Sequence, residues 1–230
     1  MTRTTNARLA GILLLLYIAI GMTQMLVFGG ATAGNGMAAK LANMALRATD
    51  FRINVVLGFV TAFFALGLAV TFYAITREQD PDLAMLGLVC RVGEAISGAV
   101  FIPLSLGLLS LATATGANAP DAAAREAIAS FVLAAQAHNP TIAATFFAVG
   151  STFFSWLLLR GRMIPAPLAW LGVFASVLLV VALPLQLAAV LRGTFAQLIW
   201  LPMAAFEIPL AFWFIIKGVA VPTRRQSAGV

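Results

Sequence analysis

The chain has 230 residues, of which 62% are hydrophobic and 10% charged, with one cysteine and a formal charge of +6. A soluble domain carries about 25% charged residues, so this composition excludes an ordinary water-soluble fold. The positive balance does not point to nucleic acid, because the basic residues are scattered with no basic stripe or aromatic platform, and Cys90 alone allows neither an intrachain disulfide nor a Cys-based metal site.

Six apolar stretches, at 9–28, 53–75, 83–106, 141–159, 168–191 and 198–216, are each close to the roughly 20 residues a helix needs to cross a bilayer core. They predict an all-α, polytopic membrane protein: one bundle of six transmembrane helices in a single membrane domain over 1–230, with lipid as its main partner. Arg3 and Arg8 precede the first stretch, and Ala31-Thr32-Ala33 resembles a signal-peptidase site. The stretch is of span length, longer than a signal core of about 7–15 residues, so an uncleaved first helix is expected.

Gly29, Gly30, Gly34 and Gly36 break that helix. Met37, Leu41, Met44 and Ala48 then recur at 4-3-4 spacing beside a polar stripe of Lys40, Asn43 and Arg47. This predicts a short amphipathic surface helix over 37–48, with Leu46 interrupting its polar side. Asp50, Arg52 and Asn54 lead into the second span, Asp50–Arg52 reading as a solvated pair. Glu78, Asp80 and Asp82 make a short acidic loop, read as solvated rather than cation-binding. In the Ala-rich segment 112–140, Asp121 is expected to cap a short helix running through Ala137. His138-Asn139-Pro140 precedes the fourth span.

Gln24 and Gln186 are expected to hydrogen-bond between helices. Cys90 reads as a small buried apolar side chain. Phe146, Phe147, Phe153 and Phe154 read as lipid-facing or packing residues. Pro103 interrupts the third span, and Pro184, Pro202 and Pro209 the last two. The first three spans carry no matching pattern, which counts against an inverted repeat. Residues 222–230 read as a flexible tail.

With six spans both termini share a side. Placing them in the cytoplasm puts Arg3, Arg8, Arg77, Arg160, Arg162, Lys217, Arg224 and Arg225 inside, against Lys40, Arg47, Arg52, Arg125 and Arg192 outside. Eight against five favours both termini inside. Trp156, Trp170 and Trp213 then fall near the inner interface and Trp200 near the outer one, as an aromatic belt requires.

Charges in hydrocarbon are the most informative residues, since each costs at least about 2.5 kcal/mol on insertion scales. Arg91 and Glu94 share a face of the third span, with Gly87 and Gly98 on that face to admit a close neighbour. By helical rise Arg91 lies about 12 Å deep, Glu94 about 16 Å and Glu207, in the sixth span, about 14 Å. Arg91 is therefore expected to pair with Glu207 across the bundle, Glu94 being a second partner. Two carboxylates and one guanidinium are costly to keep all charged there, so one Glu is expected neutral or in contact with water. His138, Asn139 and Arg47 are secondary candidates. His-Glu-x-x-His, Gly-x-Ser-x-Gly and phosphate-loop motifs are absent. A Ser151–His138 pair is disfavoured by a separation of roughly 20 Å along one helix. No metal site and no cofactor is expected.

Several stretches, read in order, carry a family resemblance. They are Arg8-Leu9-Ala10-Gly11, Leu46-Arg47, Cys90-Arg91-Val92-Gly93-Glu94-Ala95, Phe146-Phe147-Ala148-Val149-Gly150, Arg160-Gly161-Arg162-Met163-Ile164-Pro165, Glu207, and Trp213 through Lys217-Gly218. From about residue 6 to 218 the chain resembles the bacterial family catalogued as domain of unknown function 4386, six-helix integral membrane proteins. It departs at Ala166-Pro167-Leu168-Ala169, where the family usually reads Arg then Leu-Gly. The resemblance implies a multi-pass protein of the bacterial inner membrane and no reaction. Arg91, Glu94 and Glu207 match the family's polar positions. The first functional expectation is a non-enzymatic membrane protein whose polar cluster serves folding or partner binding. The second is a small proton-coupled carrier using Glu94 and Glu207. The third is a lipid-active enzyme with His138, Arg47 and Lys40 at the outer surface.

Overall fold

A helix closes its own backbone hydrogen bonds, which is why long apolar stretches fold as helices rather than open strands. The computed structural model describes residues 2–116 and 119–220, and the tail 222–230 lies outside them. Among the described residues there are nine helices: α1 (Arg3–Ala31), α2 (Met37–Leu46), α3 (Ala48–Thr76), α4 (Pro81–Val100), α5 (Ile102–Thr113), α6 (Ala122–Arg160), α7 (Ala166–Leu187), α8 (Thr194–Leu198) and α9 (Leu201–Ile216). Six segments are long and apolar enough to span a membrane: α1, α3, α4 with α5, α6, α7, and α8 with α9. The chain is a multi-pass membrane protein.

Proline chemistry explains two breaks. Pro103 in the first turn of α5 and Pro202 in that of α9 lack an N–H and crowd the carbonyl four residues back. The third span therefore breaks at Phe101 and the sixth at Ile199–Trp200. Pro184 and Pro209, expected to interrupt their spans, instead lie inside α7 and α9. Asp80 caps α4 by accepting from the Leu83 N–H at 3.1 Å, and its other oxygen meets Arg160 at 3.3 Å. The acidic loop is thus not merely solvated.

Asp121 caps α6 as expected, accepting from the Ala124 N–H at 2.7 Å. The helix it starts does not stop near Ala137. It runs 39 residues through Pro140, about 58 Å, against a hydrocarbon core of about 30 Å. The Ala-rich run favours helix, and no glycine stands at the seam to end it.

The spans pack as a closed ring: α1 on α3, α3 on α4, α4 on α6, α6 on α7, α7 on α9, and α9 back on α1. The end where α1 begins is called proximal here and the opposite end distal. A proximal core gathers Leu14, Leu68, Phe72, Phe154, Phe206 and Phe214, with the Phe72 ring 5.2 Å from Phe154 and 5.8 Å from Phe214. At the same end Arg3 donates to the Ile75 carbonyl at 2.9 Å and meets Glu78 at 3.4 Å, tying α1 to the end of α3.

A separate distal core gathers Leu41, Met44, Phe51, Val55, Ile102 and Leu108. Helix α2 buries Leu41 and Met44, as the 4-3-4 spacing requires, and leaves Leu46 86% exposed. It packs on α5 and α6. Asn43, read as part of the polar stripe, donates to the Gly30 carbonyl at 2.8 Å and ties α2 to the end of α1. Asp50 pairs with Arg47 at 3.7 Å rather than with Arg52, because residues three apart are neighbours on a helical turn. The outer faces carry exposed apolar residues, among them Phe63, Phe174 and Leu26, which suits lipid contact.

Candidate functional site

The site starts from close helix packing. Helices α4 and α6 touch at Gly87 and Gly150. A Cβ on Gly150 would sit 3.0 Å from the Gly87 carbonyl oxygen and 3.1 Å from Cγ of Arg91. The missing side chain on α6 thus makes room for the aliphatic stem of Arg91. Gly87 in turn receives the Phe154 ring, 2.9 Å from where its own Cβ would be.

That stem carries the guanidinium between two aromatic faces, its Cζ 4.8 Å from the Phe147 centroid and 5.7 Å from the Tyr17 centroid. Arg91 Nη1 lies 2.9 Å from Glu94 Oε2, and both residues are buried. The contact is close but not aligned along an N–H, so neither atom has a hydrogen-bond partner. The other carboxylate oxygen, Oε1, accepts from the Tyr17 hydroxyl at 2.5 Å. Buried Arg91 and Glu94 and half-buried Tyr17 form one unit joining α1 to α4.

Glu207 stands apart from it. The expected Arg91–Glu207 ion pair does not form: among the described residues Arg91 pairs with Glu94. The physical reason is local. Three residues along one helix bring Glu94 to Arg91 without help from packing. Between Arg91 and Glu207 lies a cavity of about 20 Å³, lined also by Ser151 and Ser155, large enough for one water molecule. Glu207 is half-buried and has neither an ion pair nor a hydrogen bond from a described side chain.

On its other side Glu207 faces a half-open cavity of about 780 Å³ lined by residues of all six spans. Glu94, Tyr17, Gln24, Thr61, Asn139 and Gln186 supply polar atoms to this wall, and Arg91 does not border it. Gln24 accepts from the Thr61 hydroxyl at 3.2 Å, an interhelical bond of the expected kind. Gln186 makes no such bond, and its buried Oε1 has no partner. Gly98, expected to admit a close helix, has nothing within 4 Å of its Cβ position and borders the cavity instead.

Of the secondary candidates only Asn139 reaches the cavity. His138 is exposed, and Arg47 is exposed and paired with Asp50. Sequence reasoning passed over Tyr17, whose hydroxyl lies midway along an apolar span on the face that buries Ala7, Ala10 and Leu14. That placement was the available signal. Trp200, read as an interfacial residue, borders the cavity, and Phe147 packs against Arg91. Cys90 is half-buried rather than enclosed.

A family model described as a domain of unknown function, DUF4386, matches residues 9–218. The chain belongs to the DUF4386 family. No curated protein and no solved structure matches it. In this DUF4386 member several of the stretches that carried the resemblance lie at tight packing points. Gly11 meets α9 so closely that a Cβ would stand 2.6 Å from the Ala211 carbonyl oxygen. Arg162 turns the chain after α6 with φ of 48°, and the Met163 that follows is buried.

Proposed function

We propose that the chain binds a small solute within the inner membrane of a bacterium and carries it across, coupled to protons through Glu94 and Glu207. It works as one six-span domain with both termini in the cytoplasm. The observation that carries this reading is the Glu207 carboxylate, which faces the 780 Å³ cavity with no described side chain to pair with it. A charge in hydrocarbon costs at least about 2.5 kcal/mol, and a purely structural role calls for a partner that offsets it. Arg91, Glu94 and Tyr17 offset one another, so the folding role belongs to them. Glu207 is left for a ligand or a proton, and Glu94 serves both roles because it also borders the cavity.

The cytoplasmic placement of the proximal end rests on the excess of Lys and Arg there. The cavity lies distal to Leu14, Phe72, Phe154 and Phe206, which line the small cavity on the other side of Glu207. In a carrier this aromatic packing is the closed gate. The lipid-enzyme reading gains no support, because neither His138 nor Arg47 borders the cavity.

A cysteine at Gly98, on a Cys90→Ala background, tests the proposal. A carrier exposes the cavity alternately, so impermeant thiol reagents label Gly98→Cys from either face of sealed vesicles. Labelling from one face alone rules the carrier out. Glu207→Gln separates carrier from scaffold: a carrier variant extracts as folded protein, whereas a scaffold variant is lost.

A further inference from the structure

The cavity wall has a sign. Among the described residues its only charged ones are Glu94 and Glu207, both acidic. The one nearby cation, Arg91, lies off that wall and is engaged by Glu94 and two aromatic rings. Among the described residues, an anion entering the cavity would meet two carboxylates and no cationic side chain. A cation would meet the unpaired carboxylate of Glu207 in surroundings of low dielectric, where the attraction is strongest.

The rest of the wall describes the body of that cation. Tyr17, Phe147 and Trp200 border the cavity, the last two rings 6.4 Å apart. Aromatic faces attract cations of the quaternary type when desolvated. Met22 and Met25 also line it and are 60% and 68% exposed, which gives the opening a flexible apolar lip. The volume falls among sites for drug-sized molecules, roughly 300–1,000 Å³. A bare metal ion fits poorly. Hard cations take about six or more oxygen ligands, and among the described residues no group of three His, Cys, Asp or Glu could hold a metal ion.

We propose that this cavity takes an organic cation with an apolar body, its charge against Glu207 and its body against Tyr17, Phe147 and Trp200. The proposal rests on the solute-binding reading above and names the class of solute. Its test uses two probes of matched size and opposite charge, tetraphenylphosphonium and tetraphenylborate, with the full chain in detergent micelles and equilibrium dialysis as the readout. The expected result is saturable binding of the phosphonium, one per chain, with no saturable binding of the borate. Glu207→Gln should weaken phosphonium binding at least about tenfold, and Glu207→Asp should keep most of it. Gly98→Leu fills the cavity from a position where a Cβ meets nothing, so it should abolish binding with Glu207 intact and decides the matter should Glu207→Gln not fold.

Equal binding of the borate overturns the proposal. So does a wild type without saturable phosphonium binding, or full binding retained by folded Glu207→Gln or Gly98→Leu. Two-sided labelling of Gly98→Cys without phosphonium binding leaves the carrier and removes the cation. Phosphonium binding with one-sided labelling removes the carrier and leaves the cation site.

Discussion

The proximal core is aromatic and closes the ring of spans, with the Phe72 ring against those of Phe154 and Phe214 at the end where α1 begins. The distal core fills only part of its end: α2, α5 and the first part of α6 pack against α3. The distal portions of α1 and α7 contribute no buried large side chain there, and the 780 Å³ cavity is bordered by both. Polar side chains collect where packing stops. Glu94 and Glu207 stand at the boundary between the sealed proximal half and the open distal one, which is where a carboxylate in a bilayer can reach water or a ligand.

The comparison is broken first at its boundary. Arg91→Leu should cost about 3–5 kcal/mol, because it leaves buried Glu94 without its counter-charge. Adding Glu94→Gln should recover much of that loss and adding Glu207→Gln little, as read by unfolding in detergent. Recovery through Glu207→Gln would mean that the pair across the bundle is the working one. In the sealed half, Phe214→Ala should cost about 3–5 kcal/mol, since the ring is fully buried. The same measurement on cavity-facing Met25→Ala should show a change below about 0.5 kcal/mol. Equal losses would erase the distinction between a packed and an open half.

Tyr17→Phe removes the hydroxyl that Glu94 accepts from and should cost about 1–3 kcal/mol. A variant as stable as wild type would show that the Tyr17 bond is replaceable by water from the cavity. A smaller effect than that of Tyr17 belongs to the distal end alone. Asp121→Ala removes the α6 cap at a cost of about 0.5–2 kcal/mol, seen as faster amide exchange in the first turns of α6 and none near Phe154. Faster exchange at both ends would mean that the two halves unfold together.

Much of the architecture was readable because a bilayer leaves a chain few choices. Apolar runs of span length become helices, 4-3-4 spacing places Leu41 and Met44 inward, and an aspartate before a helix caps it, as Asp121 does. The polar cluster was readable too, since Arg91, Glu94 and Glu207 are conspicuous in apolar sequence. The sequence by itself therefore determined the helices, their amphipathic faces and the presence of a charged centre, all of which depend on neighbours within a few residues. Only the tertiary structure decided who partners whom. It gave Arg91 to Glu94, gave Glu94 to Tyr17 from 77 positions away, left Glu207 to the cavity, and carried α6 through Pro140. Those outcomes turn on how close α4 and α6 come at Gly87 and Gly150 and on the space left between α1, α7 and α9, and distances between helices are set by packing rather than by any local pattern of residues.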